Sequence, residues 1–114
     1  MNDWQSIKDQ CPNLYREGVV FECGPGWFNL IQELSLKLEK LIKANANCVD
    51  IYASQVKEKY GTLRFYMSCE NDEMTKIIEK YEGISSKTCE VCGNLGTHRV
   101  KTWSEVRCDK CFKE

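Results

Sequence analysis

Two cysteine pairs near the end of the chain constrain its fold more than any other feature. Cys89-Glu90-Val91-Cys92 is followed, after fifteen residues, by Cys108-Asp109-Lys110-Cys111. A C-x-x-C segment bends into a tight knuckle with two sulfurs on one side of the backbone, and two knuckles at this separation build one tetrahedral metal site. Four cysteine ligands leave no open coordination position for water or substrate, so the pattern predicts one structural Zn2+ on Cys89, Cys92, Cys108 and Cys111. Iron in a rubredoxin-like site uses related pairs, usually at a longer separation and in a more aromatic fold. Gly93 lets backbone amides turn toward the sulfurs. The runs Thr97 to Lys101 and Trp103 to Arg107 can then pair as a hairpin between the knuckles, which predicts a zinc ribbon over 87–114.

Eight cysteines in 114 residues are also compatible with a disulfide scaffold. The start Met1-Asn2-Asp3-Trp4 has neither the basic nor the apolar part of a secretory leader, and no apolar run approaches the ~20 residues that span a bilayer. With four thiols placed as ligand pairs, a reducing, cytoplasmic setting is expected and a membrane location is not. Cys11, Cys23, Cys48 and Cys69 show no pairing pattern and read as small apolar residues. The single histidine, His98, lies between the pairs. It reads as a strand-surface residue or a neighbour of the metal site, because four better ligands are present.

Ahead of the cysteines the hydrophobic period changes three times. A short helix is expected around Trp4 to Lys8, followed by a turn at Cys11-Pro12-Asn13. Leu14, Tyr15, Val19, Val20 and Phe21 can cover one edge of a core. Gly24-Pro25-Gly26 is a firm break. It lacks the lysine and hydroxyl of a phosphate loop, and the bulky Trp27 follows at once, so it reads as a structural turn. Beyond it, Trp27, Ile31, Leu34, Leu38 and Leu41 recur at helical spacing, and Glu33 to Lys37 and Glu39 to Lys43 are i, i+4 pairs assigned to the solvent side. This predicts a core helix over about 25–44. From Ile51 to Ser68 two strand-like runs flank Glu58-Lys59-Tyr60-Gly61, a hairpin in which Leu63, Phe65 and Met67 alternate with Thr62, Arg64 and Tyr66. A second helix over about 72–86, capped by Asn71 or Asp72, carries Met74, Ile77, Ile78, Tyr81 and Ile84 on one face. The expected fold is therefore α+β, with a helix-and-hairpin domain over 1–86 leading directly into the ribbon.

The formal net charge is -1, from 16 basic and 17 acidic residues. Four thiolates and one Zn2+ would bring it to about -3, which disfavours strong non-specific binding to nucleic acid or anionic membrane. From Ser85 onward six basic residues (Lys87, Arg99, Lys101, Arg107, Lys110, Lys113) face four acidic ones (Glu90, Glu105, Asp109, Glu114). The charge of the metal centre cancels that excess, although Arg99, Lys101, Trp103 and Arg107 can still form a small basic-aromatic face. No Ser-His-Asp set, no histidine-based metal site and no acid pair is evident, so an enzyme is not expected.

Three blocks occur in the same order in a recognisable group of sequences. They are Phe21 to Ile31 around Cys23-Gly24-Pro25-Gly26-Trp27, Gln55 to Tyr66 around Lys59-Tyr60-Gly61-Thr62-Leu63-Arg64-Phe65-Tyr66, and Thr88-Cys89-Glu90-Val91-Cys92-Gly93. Over residues 11–111 the chain resembles a family of small accessory proteins encoded by bacteriophages and prophages. The resemblance implies action by binding, as an anti-defence protein that caps a host protein or sequesters a nucleotide signal. The residues suited to such a ligand are Lys57, Lys59 and Arg64, for phosphate, with Tyr66 and its neighbours Tyr52 and Tyr60 as flat faces. The same residues also fit an ordinary solvated strand face with pairs such as Lys or Arg against Glu58. A nucleic-acid-binding ribbon is the alternative function. The sequence leaves the oligomeric state open, a homodimer included.

Overall fold

A computed structural model describes residues 4–44, 51–69, 71–100 and 104–111, with 98–100, 104 and 105 described by their backbone alone. In chain order the elements are helix α1 (Trp4–Gln10), the two-residue strand β1 (Phe21–Glu22), a 3-10 turn (Pro25–Trp27), helix α2 (Phe28–Ala44), strands β2 (Ala53–Lys59) and β3 (Thr62–Met67), helix α3 (Asp72–Ser85), and strands β4 (Thr97–Val100) and β5 (Ser104–Arg107). The fold is α+β, with a three-stranded sheet in the order β1-β2-β3 and a separate β4-β5 hairpin.

One face of α2 builds the core. Trp27, Ile31, Leu34 and Leu38 follow one another at spacings of four, three and four, and all are fully buried. Opposite them lie Met74, Ile78 and Tyr81 of α3 and the inward residues Ala53, Val56, Leu63 and Phe65 of the sheet. α1 and the segment after it close one side with Ile7, Cys11, Leu14 and Tyr15. Trp4 stacks on Phe21 with ring centroids 4.7 Å apart. Asn71 caps α3 by accepting a hydrogen bond from the Met74 amide at 2.8 Å.

The β2-β3 register sets which side chains share a face. Val56 opposes Phe65 and Glu58 opposes Leu63, whereas Gln55 opposes Tyr66, Lys57 opposes Arg64 and Lys59 opposes Thr62. A shift in register between Ala53 and Gln55 absorbs one extra residue and keeps Ala53 inward. The turn places Tyr60 at φ 54° and Gly61 at φ 85°, the two positive dihedrals that a two-residue hairpin turn requires. Glu58 secures the turn by accepting from the Gly61 amide at 2.7 Å. Along β3, the Leu63 amide donates to Ser85 Oγ at 2.9 Å and the Phe65 amide to Glu82 Oε2 at 3.0 Å. Side chains of α3 thus satisfy donors that an edge strand would otherwise expose.

The parallel pairing of β1 with β2 is not legible in a two-residue strand. Two expectations change for physical reasons. Glu39 is not on the solvent side: it is 3% exposed, and its carboxylate accepts from the Leu14 amide at 2.8 Å and Asn13 Nδ2 at 2.7 Å, with Lys43 Nζ at 3.9 Å. The turn after α1 buries backbone donors, and a carboxylate from the helix beneath satisfies them. Val20 does not cover the core; it is 69% exposed, because neighbours in an extended segment point to opposite sides and Val19 takes the buried one. No helix among the described residues is long and apolar enough to cross a membrane.

Candidate metal centre and the outward sheet face

The two knuckles meet. The sulfurs of Cys89, Cys92, Cys108 and Cys111 all lie within 4.8 Å of one another, and Cys92 Sγ is 3.6 Å from Cys108 Sγ. A tetrahedral ion with metal–sulfur bonds of ~2.3 Å separates its sulfurs by ~3.8 Å, so the cage fits one such ion after a small contraction. No other cluster of three or more candidate ligands occurs among the described residues. Local backbone structure makes the cage: the Gly93 amide donates to the Cys89 carbonyl at 2.9 Å with Gly93 at φ 85°, and the Cys111 amide donates to the Cys108 carbonyl at 3.2 Å. The β4-β5 hairpin brings the knuckles together.

Backbone dipoles favour thiolate here. Burial raises the Cys89 thiol, but hydrogen bonds from the backbone of Cys108, Cys92 and Val91 outweigh it and lower the group to about 6. Backbone hydrogen bonding from Cys111 is the largest influence on Cys108 and lowers it as well. Cys111 is pushed up to about 12, first by its hydrogen bond with Cys108. Sulfurs this close cannot all carry charge unless a cation sits among them, which is the electrostatic condition for a metal site.

The first knuckle is built into the rest of the protein through Glu90, the residue between the cysteines. Its carbonyl accepts from the Gly26 amide at 2.6 Å, its Oε2 from the Gly24 amide at 2.7 Å, and its Oε1 from Arg107 Nη1 at 3.3 Å. Trp27 Nε1 donates to the Thr88 carbonyl at 2.9 Å. Gly24-Pro25-Gly26 is therefore a docking turn. A Cβ at Gly24 would lie 2.5 Å from the Glu90 carbonyl oxygen, and one at Gly26 would overlap the Cys89 carbonyl. Glycine is required because backbone meets backbone.

Neither Glu90 nor Arg107 stands out in the sequence as a structural clamp. The available signal is a pair of glycines flanking a proline, which asks what approaches so closely. Arg107 leaves the suggested basic-aromatic face, because it is paired with Glu90 and its side chain is only 19% exposed. Lys101 and Trp103 lie outside the described residues, and Arg99 and His98 are placed in β4 by their backbone. Cys11 and Cys23 stand apart from the cage. Burial, with a contribution from Glu39, pushes Cys11 up to about 11; burial, with Glu90 and Glu58 adding, pushes Cys23 up to about 12. Cys69 is exposed, and Cys48 lies outside the described residues.

Lys57, Lys59, Arg64 and Tyr66 share the outward face of the sheet, in cross-strand rungs Gln55·Tyr66, Lys57·Arg64 and Lys59·Thr62. Tyr52 lies apart, with the Arg16 guanidinium 4.7 Å from its ring centroid. Tyr60 sits at the turn, 68% exposed, with Lys59 Nζ 5.5 Å from its ring centroid. Among the described residues none of Lys57, Lys59 and Arg64 is in an ion pair. Glu58 does not neutralise them, because it faces the other way and holds the turn. Comparisons with models of protein families, with curated proteins and with solved structures return no match.

Proposed function

We propose that the protein acts by holding another molecule and not by catalysis, as a zinc-stabilised accessory protein of the phage type its sequence resembles. The observation that carries this reading is a contrast. Four sulfurs enclose the metal position, while the sheet offers Lys57, Lys59, Arg64 and Tyr66 on a face whose cations have no ion-pair partner among the described residues. Zinc suits the cage because it accepts tetrahedral sulfur without redox change, and it serves here as a structural brace. The expected setting is the reducing cytoplasm of a bacterial host, where the protein caps a defence protein or sequesters a nucleotide signal.

A protein partner has a surface of its own. Val91 and Leu95, 46% and 83% exposed, lie on the first knuckle and the loop after it. Near them a cleft of about 450 Å³ is lined by Leu30, Ile84, Thr88 and Asn94. Native mass spectrometry of the protein isolated from a bacterial host tests the reading directly. One zinc per chain plus a retained nucleotide or host protein is the expected result. A chain that carries zinc alone and gains no mass from any host lysate overturns it, as does turnover of a substrate at the metal. Retention of nucleic acid in place of either ligand would move the assignment to the ribbon alternative.

A further inference from the structure

The outward face of the sheet is arranged as a ladder. Residues two apart on a strand are about 6.6 Å apart, so its three rungs span roughly 13 Å. At one end Tyr66, 43% exposed, presents its ring beside Gln55. At the centre Lys57 and Arg64 stand directly opposite each other, a like-charge pair that weakens an isolated sheet. At the far end Lys59 opposes Thr62, whose hydroxyl donates to the Lys59 carbonyl at 3.3 Å. Among the described strand residues the carboxylate on this face is Glu22 of β1, which opposes Lys57 and accepts from Gln55 Nε2 at 3.5 Å. Arg64 Nε is shielded from solvent and has no hydrogen-bond partner among the described residues. A guanidinium with an unsatisfied donor, beside an ammonium, is half of a charge-assisted contact whose other half is an anion.

We propose that this face takes a nucleotide bearing two or more phosphates. The base lies on Tyr66, the first phosphates meet Lys57 and Arg64, and the terminal phosphate meets Lys59. An anion that draws the Arg64 side chain outward gives its Nε the missing acceptor and relieves the repulsion from Lys57. A single strand of nucleic acid offers the same chemistry, but the ladder ends after three rungs at the Tyr60-Gly61 turn, and the chain is net negative, so a small anion suits it better than a long polyanion. This inference rests on the binding reading above and names the ligand class for its sheet face.

Calorimetric titration of the metal-loaded protein tests it with five probes: AMP, ADP, ATP, inorganic pyrophosphate and a short single-stranded oligonucleotide. ADP and ATP are expected to bind about tenfold or more tighter than AMP, since each added phosphate gains a charge-assisted contact. Lys57→Gln and Arg64→Gln should each weaken ATP by about tenfold, and raised salt should do the same in part. Tyr66→Ser should lower the preference for ATP over pyrophosphate while leaving pyrophosphate unchanged. Glu22→Gln removes the carboxylate opposite Lys57 and should tighten ATP, an effect that a merely unfolded variant does not produce. Equal affinity for AMP and ATP, or ATP binding that survives Lys57→Gln and Arg64→Gln together, overturns the proposal. So does tighter binding of the oligonucleotide. Absence of all nucleotide binding at millimolar concentration, with a host protein recovered from lysate, sinks this inference and leaves the binding reading standing.

Discussion

The two cysteine knuckles have the same C-x-x-C form and opposite degrees of support. The first is clamped to the α+β core by the Gly24 and Gly26 amides and Trp27 Nε1, and its Cys89 is fully buried. The second is held by its own Cys111-to-Cys108 backbone bond and by the β5 strand that leads into it, which is tied to the first knuckle by the Glu90 amide on the Val106 carbonyl at 3.0 Å and by Arg107 Nη1 on Glu90 Oε1 at 3.3 Å. One knuckle is an extension of the core; the other reaches the core at second hand, through β5 and its bonds to the first knuckle. A metal ion held in the cage would fasten the less supported knuckle to the better supported one.

That asymmetry predicts different consequences for chemically identical changes. Cys89→Ser and Cys108→Ser should both lose the metal, the largest effect expected here, because structural zinc contributes on the order of 10 kcal/mol to the folding of small modules. The damage beyond the metal site should differ between them. In Cys108→Ser the first knuckle keeps its bonds to Gly26 and Trp27, so the helix-sheet core should melt close to the metal-loaded protein. In Cys89→Ser the buried sulfur itself is altered, and the loss should extend to the turn around Trp27. Zinc content by mass spectrometry and amide exchange at Gly24, Gly26 and Trp27 would check both halves. Equal protection of these amides in the two variants would mean that the knuckles are equally supported after all.

Changes in the docking turn, with Gly18 as a comparison outside it, should come next in size. Gly26→Ala places a methyl group against the Cys89 backbone, where nothing can yield without moving the knuckle, and a cost of about 3 kcal/mol or more is expected. Gly18→Ala has open space for its methyl group but a φ of 71°, so it should cost about 1 kcal/mol. Glu90→Gln removes the carboxylate charge between Gly24 and Arg107 and should cost about 1–3 kcal/mol while the metal stays bound. Denaturant midpoints rank the three, and a Gly26→Ala protein as stable as the parent would show that the turn is not packed against the knuckle.

The same contrast explains what could be read from sequence. The convergence of Cys89, Cys92, Cys108 and Cys111 is legible because paired cysteines repeat at a fixed spacing that needs little context. The stripe of Trp27, Ile31, Leu34 and Leu38 is legible because one helix face sees one core. The docking of Gly24-Pro25-Gly26 on Glu90 joins residues more than sixty positions apart, and no local period carries such a contact. Glu39 misleads for a related reason: i, i+4 spacing to Lys43 fits a surface pair equally well, and only the turn folded over it makes it a buried acceptor. Lys57, Lys59, Arg64 and Tyr66 sit between these cases. Alternation puts them on one side of the hairpin, but the cross-strand register that sets Lys57 against Arg64, and the turn that removes Glu58, come from the fold.

The smallest effect expected tests the core side of the comparison by pH. Burial raises the thiols of Cys11 and Cys23 from an ordinary value of 9.0 to about 11 and about 12, and it also raises the Tyr15 hydroxyl above its usual 10.0. In the unfolded chain these groups lose their protons at the ordinary values, whereas in the folded protein they keep them. Above pH 9 the folded state thus binds more protons than the unfolded one, and stability falls as pH rises. Their full contribution is present below pH 9 and is lost as pH climbs through about 11 to 12. Denaturant midpoints should therefore hold up to pH 9 and decline beyond it. Cys23→Ala should flatten the decline, even if it lowers the starting stability by removing a partly buried sulfur. Thiol reagents should follow the same order, reaching exposed Cys69 first and Cys11 and Cys23 last. A midpoint that stays level from pH 9 to 11 in the parent would show that these thiols ionise in place, and that the core around them admits water.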